Sequence, residues 1–131
     1  MSNPFLIYVS EAVKFDRVLV HEFLKSCPGI HGLQENPDEF ALYIAHFDFE
    51  GDASLFELKA DLETVVIRMT GAAGIQLCFL FQAMYPKPLH VIDEAYCFDL
   101  VILDFATVAD LRKAMIEAQQ KAFEENGQQT P

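Results

Sequence analysis

The chain has 131 residues, with 9 Lys and Arg against 20 Asp and Glu, a formal net charge of −11. Its pI near 4.5 excludes binding to nucleic acid by phosphate neutralisation, which needs a basic face. At 52% hydrophobic and 22% charged residues the composition is that of a folded protein, and the length suits one domain with a substantial core.

Asn3-Pro4 opens an extended segment, and Phe5-Leu6-Ile7-Tyr8-Val9 predicts a first strand over 5–9. Over 11–27, Phe15, Leu19 and Phe23 recur every fourth residue, with Val20, Leu24 and Cys27 alongside. That spacing predicts a helix with a broad apolar stripe, stopped by Pro28-Gly29. Residues 29–39 are turn-rich around Asn36-Pro37-Asp38, and Ile30 and Leu33 offer a short strand before that tip. Residues 40–49 form the clearest strand pattern, closed by an acidic turn over 48–52.

Residues 54–70 fit two templates. Phe56, Leu58, Ala60 and Leu62 alternate with Glu57, Lys59, Asp61 and Glu63, while Leu55, Leu58, Leu62 and Met69 also suit a helix. The β-branched run Val65-Val66-Ile67 decides for two strands, about 54–61 and 64–70. A mostly apolar helix follows over 72–85, in which only Gln76 and Gln82 are polar, and Pro86 and Pro88 end it. Residues 89–92 and 96–103 read as a hairpin around Asp93-Glu94-Ala95. The last helix is expected over 107–125, with Val108, Leu111, Met115, Ala118 and Ala122 on one face and Thr107 capping its first turn. Residues 126–131 read as a flexible polar tail. The order β-α-β-β-β-α-β-β-α predicts a single α+β domain over residues 1–125. Its antiparallel sheet would have five or six strands, with three helices on one face or at the ends.

No basic residue precedes Lys14, and no apolar run approaches the roughly 18 residues of a membrane span. Cys27, Cys78 and Cys97 form an odd set without CxxC spacing. Together these predict a cytoplasmic protein, without membrane contact, whose thiols are reduced and mostly buried.

Patterns that carry chemistry are sparse. Asp48-x-Glu50-x-Asp52 resembles the start of a calcium loop, but glycine comes fourth and Lys59 holds the twelfth position. A solvated turn is expected there. His21, His31, His46 and His90 lack metal-ligand spacing. Cys27, near His31, would sit at a helix C-terminus, where the dipole disfavours a thiolate, and Cys78 reads as core. Gly71-Ala72-Ala73-Gly74 lacks the Gly-Lys-Ser/Thr of a phosphate loop, so its small residues are expected to permit close packing of the helix start. Carboxylate pairs such as Asp93/Glu94 and Asp99/Asp104 are too common in so acidic a chain to indicate catalysis. The expectation is therefore no catalytic residue, no metal and no cofactor.

Charge is unevenly placed. Residues 35–63 hold nine acids and one base, a net −8, and residues 88–110 hold five acids and no Lys or Arg. A solvated, solubilising face accounts for part of this. Crowded like charge destabilises a fold, so the rest is read as a surface complementary to a basic partner. Aromatics interleaved with the acids suit a hot-spot layout. The predicted partner-binding set is Glu35, Asp38, Glu39, Asp48, Glu50, Asp52, Asp93, Glu94 and Tyr96.

Such a surface predicts a non-enzymatic protein that neutralises a cognate basic protein, as bacterial immunity proteins and nuclease inhibitors do. In composition and in its α-β-β-β-α-β-β-α order from Glu11 onward, the chain also looks like the small acidic type III secretion chaperones. That resemblance implies a homodimer holding an extended effector segment, and it brings no site residues. A small enzyme or ligand-binding domain is the third reading.

Overall fold

A computed structural model describes residues 4–128 of the chain. The strands are β1 (Phe5–Tyr8), β2 (Ile30–Glu35), β3 (Ala41–Phe49), β4 (Asp52–Lys59), β5 (Val65–Ile67), β6 (His90–Asp93) and β7 (Asp99–Val101). The helices are α1 (Arg17–Ser26), α2 (Ala72–Met84) and α3 (Val108–Gln128), with a 3-10 turn at Ile102–Asp104. All seven strands form one antiparallel sheet in the order β2-β3-β4-β5-β1-β6-β7. The fold is thus α+β, with one strand more than the five or six expected.

The additional strand is β2. Its sequence, Ile-His-Gly-Leu-Gln-Glu, is largely polar and exposed, and its register shifts between His31 and Gln34. Ile30 and Leu33 offer a short strand here, but an edge strand with a bulge carries no clean alternation, and the expected order leaves it out. Four strands therefore lie between α1 and α2, one more than in the order on which the chaperone resemblance rests.

The helix predicted over 11–27 begins later, at Arg17. Ala12 adopts a left-handed backbone at φ 61°, the amide of Phe15 donates to the carbonyl of Leu62 at 2.6 Å, and the amide of Asp16 donates to the Tyr85 hydroxyl at 2.9 Å. These tertiary bonds hold residues 11–16 outside the helix. Asp16 then caps α1, its carboxylate accepting from the amides of Val18 and Leu19. Phe15 is nevertheless buried, which explains why it mimics a member of the helical stripe.

The segment 54–70 is two strands, paired Phe56 to Ile67 and Leu58 to Val65. The acidic turn before it is a two-residue hairpin loop, Glu50-Gly51, with both residues at positive φ and Phe49 opposite Asp52. Thr107 accepts the amide of Asp110 at 3.1 Å at the start of α3. That helix runs to Gln128, into the stretch read as a tail, and residues 129–131 lie outside the described residues.

All three helices pack on one face of the sheet. Ile7, Val65, Ile67, Phe56, Ala45 and Val91 meet Val20, Phe23, Phe81, Leu77, Leu111 and Met115 in one core. Phe81 anchors it, with ring centroids 4.9 Å from Phe23 and 5.6 Å from Phe56. The start of α2 approaches the sheet closely because its residues are small. A Cβ on Gly74 would stand 2.3 Å from the carbonyl oxygen of Met69. Gln82, buried in α2, donates to the carbonyl of Lys87 and accepts from the amide of Leu89, fixing the connection into β6.

Candidate functional site

Strand alternation sends every second side chain to the face that carries no helix. The pairing registers align one residue from each strand in a row across that face: Gln34, Ile44, Glu57, Val66, Leu6, Ile92 and Asp99. Four of the seven are aliphatic. Val66 and Ile92 are only 7% and 8% exposed, yet they lie outside the main core cluster. A flanking row carries Tyr8, His90 and Val101, and another carries His31, His46 and Leu55. Glu57 on β4 pairs with Arg68 and lies 3.8 Å from Lys59, so the two bases of this face are engaged by one acid.

Toward the β1-β6-β7 end of the row the face deepens into a cleft of about 460 Å³. Leu6 and Ile92 lie at its base in the central row, and Tyr8, Thr64 and Tyr96 line it. Its ionisable lining is acidic throughout: Glu11 from the loop after β1, Glu63 from the β4–β5 turn and Asp99 from β7, together with the two phenols. No Lys, Arg or His lines it. Ala12, Leu62 and Tyr96 are three of the five non-glycine residues at positive φ among those described, and all lie at or beside this rim.

Asp99 organises one wall. One carboxylate oxygen accepts the Tyr8 hydroxyl at 2.6 Å, and the other lies 3.0 Å from Nδ1 of His90. The Tyr8 and His90 rings stack with centroids 4.9 Å apart. Burial pushes the Tyr8 phenol up to about 12, and the hydrogen bond to Asp99 and its charge, with Tyr96 and Glu11 behind it, act in the same direction. Ionising Tyr8 would add a negative charge beside that of Asp99, with Glu11 nearby.

The predicted site residues are dispersed. Asp38 and Glu39 lie in the β2–β3 turn, while Glu50 and Asp52 lie in the β3–β4 hairpin at the other end of β3, about 27 Å away at the rise of a strand. They do not form one negative face. Several have structural work. Asp38 accepts from the amides of Phe40 and Ala41, and Asp52 accepts the amide of Ala73 at 2.9 Å, capping α2 where Gly71 has no side chain to offer. Glu35 lies 3.5 Å from His21 on the helix side, and Asp48 lies 2.8 Å from His31 on the open side.

Asp93 is fully buried and cannot touch a partner. It accepts the amide of Cys97 at 2.7 Å, Gln119 reaches its other oxygen, and its carbonyl accepts the amide of Tyr96. Its role is to hold the β6–β7 loop, which presents Glu94 and the 76%-exposed Tyr96. Of the predicted set, Tyr96 alone lines the cleft.

No family model matches the chain, and no curated protein or solved structure is significantly similar to it. The geometry therefore carries the functional reading alone.

Sequence reasoning missed Tyr8, Glu11, Glu63 and Asp99 as site residues. The alternation within 5–8 already separates Phe5 and Ile7 from Leu6 and Tyr8, but nothing local reveals that β6 and β7 lie beside β1. The cysteines are all free. Cys78 is buried, which pushes its thiol up to about 12, while Cys27 and Cys97 are half-buried. Among the described residues no three His, Cys, Asp or Glu side chains gather to hold a metal ion, and no helix is long and apolar enough to cross a membrane.

Proposed function

We propose that this chain is a non-enzymatic, cytoplasmic protein that binds and neutralises a cognate basic protein, in the manner of a bacterial toxin-immunity protein or nuclease inhibitor. One observation carries the reading: a sheet face with an aliphatic row and no helix over it opens into a cleft whose ionisable lining is entirely acidic. A second copy of the chain is a poor occupant of the cleft, because it would set Glu11, Glu63 and Asp99 against the same carboxylates of its partner. A basic protein satisfies both the apolar row and the charge. The exposed rim of Glu94 and Tyr96 extends the surface, and Glu39 and Glu50 lie too far along the strands to be its centre.

The test is capture of the partner from the native cell, followed by binding kinetics and an assay of the partner's own activity. The expected result is a one-to-one complex that suppresses that activity, with an on-rate that falls steeply as salt rises. Reversing Glu63 and Glu94 to Lys should slow association at least tenfold, whereas reversing Glu39 should change it little. A salt-insensitive on-rate, or equal effects at all three sites, would overturn the reading.

The chaperone-like alternative draws on a different surface. Ile116 and Phe123 stand on the outer side of α3, 42% and 79% exposed, seven residues apart. A homodimer through that stripe, seen by light scattering and broken by Phe123→Asp, would favour it; a monomer at high concentration would remove it.

A further inference from the structure

Three occupants of the cleft can be compared on its chemistry. An anion is repelled by Glu11, Glu63 and Asp99, none of which shares the cleft with a base. A bare metal ion finds no group of three ligating side chains among the described residues, and an aliphatic base offers it nothing. A long cationic side chain suits both parts at once: its methylenes lie on Leu6 and Ile92, and its charged head reaches the carboxylates at the rim.

The aromatic lining chooses between the two cationic side chains. Tyr96 stands 76% exposed on a backbone pinned by the buried Asp93, so its ring is free to lie over a planar group. The three carboxylates come from three separate segments around a cleft of about 460 Å³. A guanidinium spreads five N–H donors in one plane, stacks on tyrosine and sheds water more readily than an ammonium. Asp99, already accepting from Tyr8 and beside His90, keeps further lone pairs for it.

We infer that the cleft between Tyr8 and Tyr96 is an arginine-binding site, which receives one guanidinium side chain of the basic partner against Glu11, Glu63 and Asp99. The inference rests on the basic-partner reading and names the group that reading requires.

The test uses the full chain and three small probes: N-acetyl-arginine methylamide, its neutral citrulline counterpart and N-acetyl-lysine methylamide. Binding is followed by NMR at the methyls of Leu6 and Ile92 and the rings of Tyr8 and Tyr96. The arginine probe should give saturable shifts at these four residues, with citrulline at least tenfold weaker and lysine several-fold weaker. The double variant Glu11→Gln with Glu63→Gln leaves the bonds of Asp99 intact, and it should weaken the arginine probe at least fivefold while the chain stays folded. Equal binding of citrulline or lysine, an unmoved affinity in the double variant, or shifts confined to other residues would overturn the site. If the arginine probe fails while the captured partner still associates with a steep salt dependence, only the cleft assignment falls. If the probe fills the cleft but the partner binds without salt dependence, the site stands and the neutralising function falls.

Discussion

The two faces of the sheet are made by the same strands, residue by alternate residue, and they are put to different use. On the helix side, Ile7, Val65, Ile67 and Val91 are completely buried. On the other side, Leu6, Ile44, Val66 and Ile92 are as apolar, but Glu57, Asp99 and His46 are set among them and no helix covers them. One-sided antiparallel sheets ordinarily show polar residues to water. Here aliphatic side chains lie outside the main core cluster, interspersed with the pairs Glu57–Arg68, Asp48–His31 and Asp99–His90. Side-chain burial stabilises the first face, while the second carries charged and polar side chains among its aliphatic ones.

Truncation should separate the faces most strongly. Phe81→Ala, which empties the contact between Phe23 and Phe56, should cost about 3–5 kcal/mol in urea unfolding. Leu55→Ala on the open face should cost about 1 kcal/mol or less, since half-burial against the sheet leaves little to lose. Equal losses would mean that the open face is core, and the comparison would collapse.

Close approach gives the next contrast. Gly74→Ala drives a methyl into the carbonyl of Met69 and should cost about 3 kcal/mol, at the upper end of overpacking changes. Gly51→Ala meets nothing within 4 Å and should cost about 1–2 kcal/mol, from its φ of +78° alone.

The acids should divide in the same way. Asp52→Ala removes the cap of α2 and should lower stability by about 1 kcal/mol, whereas Glu39→Ala in the other turn should change it by less than about 0.5 kcal/mol.

Tyr8 gives the smallest signal and reports on the cleft directly. Its folded phenol is raised to about 12 from an ordinary 10, so its protonated form is favoured by folding. The stability it contributes is complete below pH 10 and is lost as pH rises through 12. Ultraviolet titration should show a tyrosine step near pH 12 that Tyr8→Phe removes.

Local pattern made much of this fold legible. The β-branched run Val65-Val66-Ile67 was enough to choose strands over a helix for 54–70, and Thr107 was enough to start α3, because each depends on neighbours a few residues away. Two kinds of feature were less plain. The polar edge strand β2 shows in the sequence only as a short strand at Ile30 and Leu33 because it lacks alternation, and the true start of α1 depends on bonds from Phe15 to Leu62 and Asp16 to Tyr85, which no local window contains.

The candidate site was less legible still. Charge counted along the chain located the acids but not their duties. Asp52 caps a helix, Asp38 a turn, and Asp93 is buried under Gln119, so three of the densest acidic positions are structural. Glu11, Glu63 and Asp99 lie as far as 88 positions apart in the chain and meet only because β1 inserts between β5 and β6.

An α+β class and an excess of negative charge were thus written in composition and periodicity, because both follow from which side chains alternate and how many are ionised. Which acids share a cleft was decided by strand order and by the loops that follow β1 and β4. A cleft is formed by side chains brought together across a sheet, and pairing between strands distant in sequence leaves no period for the chain to display.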